Sequence, residues 1–383
     1  MILSRGFEIL SSDAFMQQSK KWIELPPALK ILGYCLLLFL ISRILFFEGM
    51  QWLNQELHFH IAQSYLFAQL DTKWYVGIVK HGYQTHAHND VFFPLFPLLM
   101  AGVAKCTGLS IHVAGFIVTN LCFFLASCLF YRLLEEETDA KMARLGTGLL
   151  CFTPYSVYFM AAYTESLFLF LSLACWLTAR HRQWLGLGCC GFLLSLTHPN
   201  GVIIFIMALL FVWEDYRLYH EKVWRYWPVL LIPCGLGGYM LYLGHTFHNA
   251  FDFVTSQQYW AGRTGWHLEG LALQFQDRLH GESYNLIVFF MGLALSVYLW
   301  RKGYLKEALF IPLFTIMAPL SGSFLSLARY TATLFPFYFA LTLIMEQYAW
   351  MRSFWFIGLL AIVSMIFFCW GALFWLNNSY IIF

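Results

Sequence analysis

The sequence predicts an all-α polytopic membrane protein, and three observations support this prediction. Of the 383 residues, 60% are hydrophobic, 20% are aromatic and only 11% are charged, a composition well outside that of globular domains. The apolar residues form runs of roughly 18 or more, which is the length that an α-helix needs to cross a bilayer. Since backbone groups find no water there, these runs must be helices. The period-two alternation of a membrane β-barrel does not occur in the sequence.

The sequence contains roughly 10–11 candidate transmembrane or re-entrant helices, which form a bundle within one membrane domain, residues 1–383. The run 184–213 is long for one helix, and Pro199 predicts a break in it. The run 91–107 is short and contains two prolines, so it is either a full span or a re-entrant piece. The complete set of candidate helices is 29–47, 91–107, 111–131, 144–162, 165–179, 184–213, 226–245, 283–300, 308–320, 331–346 and 353–376.

Basic residues in short loops set the expected orientation, because such loops remain in the cytoplasm. Lysines before the first run place residues 1–28 in the cytoplasm and residues 48–90 outside. The basic loop 301–306 is also predicted to be cytoplasmic, which makes 246–282 a second external segment. These two external segments are the ones long enough to hold chemistry.

The middle of the chain leaves the orientation open. Arg180 and Arg182 favour a cytoplasmic turn, whereas counting every run as one full span gives the opposite answer. A re-entrant 91–107 together with a split 184–213 reconciles all the basic loops, and we prefer that interpretation.

Charge and cysteine content exclude several classes of site. The net charge of +2, with basic residues confined to short loops, gives no indication of a nucleic-acid partner. The 10 cysteines have no metal-type CxxC spacing and are interpreted as packing residues. His81, His86, His88 and Asp90 lie close together in the sequence, but nothing fixes a tetrahedral set, so no metal site is predicted. Over a metal site, we prefer the interpretation that one of these histidines contacts a phosphate group of a substrate.

The leading catalytic candidate is Asp71, which follows the first apolar run in the segment Leu70-Asp71-Thr72-Lys73-Trp74-Tyr75. A carboxylate just beyond a span can act as a general base toward a hydroxyl nucleophile. Trp74 and Tyr75 could form an aromatic wall for a sugar or a lipid. The alternative is an acidic residue in an interfacial helix with ordinary belt aromatics.

Further short motifs stand in a fixed order after this segment. They are Gly82-Tyr83, Phe92-Phe93-Pro94-Leu95-Phe96-Pro97-Leu98, Pro154 followed by Tyr163-Thr164-Glu165-Ser166-Leu167-Phe168, Thr197-His198-Pro199-Asn200-Gly201, Gln257-Gln258-Tyr259-Trp260-Ala261-Gly262-Arg263, and Ser326-Leu327-Ala328-Arg329-Tyr330 with Leu334-Phe335-Pro336. Together with Asp71-x-x-Trp74-Tyr75, the ordered set resembles the PIG-V family of mannosyltransferases in the GT-C superfamily. Two positions depart from the family, which usually has Trp at Leu70 and Arg at His198.

The resemblance implies a sugar donor held on a polyprenyl phosphate and a glycolipid or glycan as the acceptor. It implies a single inverting displacement in which Asp71 activates the acceptor hydroxyl, without a nucleotide sugar or another cofactor. The leaving phosphate gains negative charge, so preorganised cations should face it. Arg263 and Arg329 are the candidates, because a guanidinium can hold two phosphate oxygens. The alternative for either arginine is snorkelling to lipid headgroups.

Glu165 is the second catalytic candidate. A carboxylate at the end of an apolar run is costly unless it is paired or functional. The alternative is an acid at a helix N-terminus, where the macrodipole favours negative charge. The residues predicted to bind substrate are Lys73, Trp74, Tyr75, His81, Tyr163, His198, Asn200, Gln257, Trp260, Arg263, Arg329 and Tyr330.

The function predicted from these features is a membrane glycosyltransferase, most simply a mannosyltransferase surrounded by membrane lipids. A transporter or flippase also has broken helices, but such proteins normally show two-fold internal similarity, and this sequence has none. A non-catalytic scaffold subunit would not need these acids and arginines together. The short length and spare loops favour the bacterial inner membrane over the endoplasmic reticulum.

Overall fold

The computed structural model describes residues 27–63, 66–68, 70–84, 87–259, 283–316 and 326–378, and these contain helices and turns but no strand. Within these ranges, 3-10 helices connect or extend the α-helices at Asn89–Val91, Pro199–Ile203, Val223–Leu230, Ser256–Tyr259 and Ala349–Arg352. The α-helices are α1 Pro27–Glu56, α2 Thr72–His81, α3 Leu95–Thr107, α4 Ile111–Glu137, α5 Ala140–Cys151, α6 Glu165–Arg180, α7 Trp184–Ser195, α8 Ile204–Tyr219, α9 Leu231–Phe247, α10 Asp252–Thr255, α11 Ser283–Arg301, α12 Leu305–Thr315, α13 Leu327–Thr331, α14 Phe335–Gln347 and α15 Phe354–Asn378.

The predicted class, an all-α polytopic membrane protein, is confirmed. Within the described ranges, four helices are long and apolar enough to cross a membrane unaided, namely Ala28–Glu56, Ile111–Glu137, Val223–Phe247 and Phe354–Leu373. Several shorter apolar helices pack beside them, including α3 and α7. The predicted break at Pro199 is also present, because α7 ends at Ser195 and α8 begins only at Ile204.

Two of the predicted boundaries are wrong. The first helix continues to Glu56, so the beginning of the predicted external segment 48–90 is the last part of α1. The predicted span 144–162 is not one helix, since α5 ends at Cys151 and residues 152–164 form turns before α6. Pro154 accounts for this end, because proline lacks a backbone donor and disfavours helix at the preceding residue. Hydropathy could not distinguish a membrane-spanning helix from these turns, because the turn residues are as buried in the protein as those of a span.

Ion pairs define one end of the bundle, called the basic end here. Arg180 at the end of α6 pairs with Glu137 at the end of α4, and the Tyr304 hydroxyl donates to the same carboxylate at 2.9 Å. Lys306, in the first turn of α12, lies 2.5 Å from Glu214 of α8. The helices α4, α6, α8 and α12 therefore all have a terminus at this level. The opposite end, where α6 begins, is called the site end.

The helix α3 stays in the half of the bundle near the site end. The backbone N–H of Leu95, its first residue, donates to the Leu196 carbonyl at 3.0 Å, immediately after α7 ends. Its last turn then leads directly into the start of α4 at that same end. A re-entrant piece would be placed in this way, and the re-entrant interpretation of 91–107 stays a prediction.

The helices α7 and α9 pack closely against each other near the site end. A side chain on Gly235 of α9 would overlap the Phe192 carbonyl of α7, so only glycine allows this approach. The helices α7 and α9 therefore pack backbone against backbone at this point, as small residues permit in membrane bundles. Next to them, α6 packs against α4 and contributes Trp176, one of the largest fully buried side chains.

Candidate active site

Arg329 joins the two predicted catalytic acids. Its Nη1 lies 2.7 Å from Oδ2 of Asp71, and its Nε donates to Oε1 of Glu165. Asp71 immediately precedes α2, Glu165 is the first residue of α6, and Arg329 lies in α13. Three segments that are distant in the sequence therefore meet at the site end. These three residues are called the acid–arginine cluster below.

The members of the acid–arginine cluster differ in their access to the surface. The side chain of Glu165 is 2% exposed and that of Arg329 is 11% exposed, whereas the Asp71 side chain is 28% exposed. One cation between two carboxylates leaves a formal charge of −1 on the cluster. Burying such charges is costly unless they are paired and hydrogen-bonded. Asp71 is therefore the acid that a substrate can reach, and Glu165 holds the arginine from inside.

Tyr163 contacts both Asp71 and Arg329. Its hydroxyl accepts a hydrogen bond from the backbone N–H of Asp71 at 3.0 Å. Its ring centroid lies 4.4 Å from the guanidinium carbon of Arg329, and the Tyr158 ring follows at 5.2 Å. Cation–π contacts of this kind stabilise a buried guanidinium. Tyr163 is fully buried, so it positions the cluster rather than facing open space.

The segments that carry Asp71 and Arg329 are held in unusual backbone conformations. Leu70, just before Asp71, has φ 53°, and Ser326, which precedes α13, has φ 65°. A non-glycine residue in this region costs on the order of 1–3 kcal/mol, which tertiary contacts must offset. One such contact is made by the buried Asn285, whose Oδ1 accepts the Ala328 N–H at 3.0 Å.

The aromatic residues predicted to bind substrate lie on different sides of α2. Trp74 stacks on Phe92 with ring centroids 6.1 Å apart and remains partly exposed. Tyr75 is only 4% exposed and packs edge-on against Phe92 and Phe96, at 5.1 and 5.0 Å. Trp74 is therefore accessible near Asp71, whereas Tyr75 supports α2 from the core.

The two basic candidates of α2 are placed far apart. Lys73 is exposed next to Trp74, with its Nζ 5.2 Å from the Trp74 ring centroid. His81 is the last residue of α2, and at 1.5 Å per residue it lies about 15 Å along the helix axis from Asp71. Lys73 is thus close to Asp71 in the chain and His81 is separated from it by the length of α2.

His198, Asn200 and Tyr330 meet at the edge of the acid–arginine cluster. His198 Nδ1 accepts a hydrogen bond from the backbone N–H of Asn200 at 3.3 Å, which caps the 3-10 helix Pro199–Ile203. An accepting Nδ1 assigns the proton of a neutral imidazole to Nε2. The imidazole lies 5.2 Å from the Tyr330 ring, and Tyr330 directly follows Arg329.

The second predicted external segment is described only in part. Gln257 lies in the 3-10 helix Ser256–Tyr259, where the Ser256 hydroxyl is 3.4 Å from His88 Nδ1. The predicted residues Trp260 and Arg263 lie outside the described residues. Among the residues that are described, no three His, Cys, Asp or Glu side chains are grouped so that they could hold a metal ion.

A buried turn segment, residues 152–164, brings Tyr163 to the site. Because it is not helical, carbonyl groups in it need partners from elsewhere in the protein. Polar side chains of neighbouring helices supply them. The Met160 carbonyl accepts from Asn120 Nδ2 at 3.3 Å, the Ala162 carbonyl from Thr72 Oγ1 at 3.4 Å, and the Tyr163 carbonyl from Thr119 Oγ1 at 3.2 Å.

These polar partners were missed from the sequence, although a signal exists. Thr119 and Asn120 are adjacent within the apolar run 111–131, where polar side chains are costly and usually have a purpose. The indole of Trp375 was missed as well. Its Nε1 donates to the Leu66 carbonyl at 2.9 Å, and its ring lies 5.3 Å from that of Tyr163. The last helix therefore contributes to the site as well as facing lipid.

Part of the chain is similar to a known protein family. Residues 51–209 match the family model described as mannosyltransferase (PIG-V). Over this range the chain is similar to that family. The match supports a glycosyltransferase activity in a membrane. The matched range contains Asp71, Glu165 and His198, whereas Arg329 lies beyond it and contacts both acids. No curated protein matches the chain.

Proposed function

We propose that the protein transfers a mannosyl residue from a polyprenyl-phosphate donor to a hydroxyl group of a glycolipid or glycan, with inversion at the anomeric carbon. In this reaction the acceptor oxygen attacks the anomeric carbon while the bond from that carbon to the phosphate oxygen breaks. Asp71 takes the acceptor proton, and the products are the glycoside and the polyprenyl phosphate. GT-C architecture is part of the same proposal, and it rests on the resemblance.

The observation that carries this proposal is the difference in exposure within the acid–arginine cluster. Asp71 is the exposed acid, and only its Oδ2 takes part in the ion pair with Arg329. The other oxygen, Oδ1, is outside that ion pair and can accept a proton. Glu165 holds Arg329 through Nε, so the guanidinium stays oriented even if its contact with Asp71 loosens. Fixed geometry of this kind lowers the cost of reaching the transition state.

Arg329 has a second proposed task at the leaving phosphate. The phosphate gains negative charge as its bond to the sugar breaks, and a preorganised guanidinium stabilises that charge. In the described structure two donors of Arg329 face the acids. A phosphate that shares Arg329 would weaken its contact with Asp71 and so make Asp71 a stronger base. Lys73 and His198 are the neighbouring groups that could assist, with His198 standing where the family usually has Arg.

An apolar cavity offers a place for the lipid part of the donor. Its volume is about 550 Å³, and it lies between α5, α11, α13, α14 and α15. Ala328 of α13 and Ala332, which directly follows α13, line it, so the helix that carries Arg329 separates the cavity from the acid–arginine cluster. Its lining surface is mostly apolar, with Leu149 and Ala361 among the apolar residues and Arg144 among the polar ones. A prenyl chain could occupy this cavity while its phosphate reaches around α13.

The proposed orientation puts the site end outside the cytoplasm. The basic end carries Arg180, Arg182 and Lys306, and short basic loops remain in the cytoplasm. The lipid-linked donor would then be used at the external face, and the bacterial inner membrane is the proposed location. A transporter or flippase is the second candidate. No observation among the described residues favours transport over catalysis. An accessible carboxylate next to an arginine held in place is an arrangement suited to proton transfer.

The experiment is a transfer assay with the purified protein in lipid nanodiscs. Radiolabelled polyprenyl-phosphate mannose is supplied with bacterial membrane lipids as acceptors, and the product is identified by mass spectrometry and by its anomeric configuration. The proposal expects a labelled glycoside of inverted configuration and free polyprenyl phosphate. Movement of the labelled lipid across the membrane without any glycoside product would instead favour the flippase. Polyprenyl-phosphate glucose serves as the matched donor control.

A further inference from the structure

Arg43 is a charged residue inside a membrane-spanning helix. It lies in the middle of α1 and is 8% exposed. Within the described ranges, no carboxylate forms an ion pair with it. A buried cation without a counter-ion is expensive, and ionisable residues at such depth usually serve a function. The reaction proposed above makes no use of Arg43, so its presence calls for another explanation.

Three aromatic rings, the Phe159 carbonyl and the Ser42 hydroxyl, which accepts from Nε at 3.3 Å, surround the Arg43 guanidinium. Its carbon lies 4.5 Å from the centroid of Phe123, with Phe39 and Phe46 at 5.6 and 6.0 Å. Its Nη1 donates to the Phe159 carbonyl at 3.1 Å. The rings stabilise the cation through their faces, and the charge strengthens the hydrogen bond to the carbonyl. The guanidinium is therefore aimed at the backbone of the turn segment 152–164.

The Phe159 carbonyl connects this arginine to the acid–arginine cluster. It accepts a second hydrogen bond from the Ser166 hydroxyl at 3.2 Å, and Ser166 directly follows Glu165. Four residues after Phe159, the same segment reaches Tyr163, which bonds the Asp71 N–H. The carbonyl is thus fixed from α1 on one side and from the start of α6 on the other.

We propose that Arg43 is a positioning residue, which holds the turn segment 152–164 so that Tyr163 and Glu165 meet Asp71 and Arg329. Ser364 of α15 bonds the Phe152 carbonyl at the start of this segment, Arg43 bonds the Phe159 carbonyl, and Thr72, Thr119 and Asn120 bond later ones. Among these described donors, Arg43 is the charged side chain. The long arginine side chain is suited to this position because it reaches from the middle of α1 to the Phe159 carbonyl. That carbonyl also accepts a hydrogen bond from Ser166.

The first arm of the test is hydrogen–deuterium exchange of the protein in nanodiscs, and it does not depend on the proposed function. The Arg43→Met variant keeps the length and apolar stem of the side chain but removes its donors. Exchange within the peptide 153–164 should become about threefold faster or more, because local opening is less costly. Peptides of α4 near Arg132 should not change. Arg132→Met, on a side chain that is 54% exposed at the basic end, is the matched control.

The second arm is kinetic and rests on the proposed function. The kcat for sugar transfer should fall by about 10- to 100-fold in Arg43→Met, as small misplacements of catalytic groups can cause. The KM for the donor should stay within about threefold, because Arg43 does not touch the lipid cavity. Arg43→Lys, which keeps a charged donor, should recover most of the loss. A wild-type protein that transfers no sugar would overturn the proposed function and leave the exchange result standing.

The proposal is overturned if exchange in 153–164 and kcat both equal those of the wild type in Arg43→Met. It is also overturned if Arg132→Met changes both as much. If Arg43→Met does not fold, Arg43→Gln takes its place, because its shorter side chain cannot reach the Phe159 carbonyl. Wild-type exchange in that variant would then exclude a positioning role.

Discussion

The Nη1 atom of Arg329 lies 2.7 Å from Oδ2 of Asp71, although 258 residues separate them in the sequence. The same guanidinium bonds Glu165 through Nε. The two acids that Arg329 contacts have different roles, since the Glu165 side chain is buried and the Asp71 side chain is partly exposed. A substitution at one member of the acid–arginine cluster should therefore alter the contacts of the other two.

Asp71→Asn should abolish sugar transfer while leaving the fold intact. A positioned general base contributes about 10²- to 10⁴-fold to the rate, so kcat should fall by that order. The neutral amide can still contact Arg329, so donor binding should change little. Initial rates and equilibrium binding of a labelled donor check this. Asp139→Asn is the control, because Asp139 caps α5 at the basic end, a role that asparagine also fills. Equal activity of Asp71→Asn and the wild type would exclude Asp71 as the base.

Glu165→Gln should destabilise the protein as well as slow it. Glu165→Gln removes the buried partner of Arg329 and leaves the partly exposed Asp71 as its carboxylate, so the loss should stay below the roughly 3–5 kcal/mol of a wholly broken buried ion pair. Thermal unfolding in detergent should shift down accordingly. The double variant Glu165→Gln with Arg329→Met should recover part of this loss, since the guanidinium that has lost its buried partner is gone. Strict additivity of the two single changes would contradict a direct contact between them.

Asp90 predicts a pH dependence of stability. It is 3% exposed in the 3-10 helix before α3, and burial raises its pKa above the ordinary value of 3.8, although a hydrogen bond from Ser256 opposes this. A raised pKa in the folded state means that the protonated acid favours folding. This contribution is present at low pH and is lost as the pH rises through the folded-state pKa.

The Asp90→Asn variant should remove that dependence. Its unfolding temperature should fall less than that of the wild type between acidic and neutral pH, measured by fluorescence in the same detergent. Asp139→Asn, at the cap of α5 on the basic end, serves as the control and should keep the wild-type slope. An unchanged slope in Asp90→Asn would show that another group is responsible.

Gly201→Ala should disturb the site through the backbone. A Cβ at this position would overlap the Leu194 carbonyl at the end of α7, and the 3-10 helix that carries Asn200 would have to shift. We expect a loss of roughly 1–3 kcal/mol in stability and reduced transfer activity. Gly237→Ala is the matched control, because a side chain there meets open space. Thermal unfolding of the two variants side by side tests the difference.

Filling the apolar cavity should weaken donor binding selectively. Ala361 lines it from α15, and Ala361→Phe would occupy part of its volume. The KM for a polyprenyl-phosphate donor should rise by about tenfold or more, since tail contacts contribute uniformly to binding. The kcat should change less, and a short-chain donor should be less affected. Leu359→Phe, on a position that is 55% exposed outside the cavity, is the control. A KM that rises equally in both variants would argue against the cavity as the tail site.

Much of the architecture could be predicted from the sequence. Composition and run length predict the membrane class, Pro199 predicts the break between α7 and α8, and the basic loops predict which helix ends lie together. The segment 144–162 could not be predicted correctly, because its turns are buried by protein. Hydropathy measures preference for an apolar environment and does not distinguish lipid from a protein core.

By itself, the sequence determined the class of protein, the family resemblance and the identity of the acids and the arginine worth testing. These follow from composition and from residues close together in the chain. The pairing of Arg329 with both Asp71 and Glu165 was decided only by the tertiary structure, as were the burial that separates the acids and the use of Arg43 against the Phe159 carbonyl. Ion pairs and hydrogen bonds depend on distances of a few ångströms between segments hundreds of residues apart, and no local pattern encodes such distances.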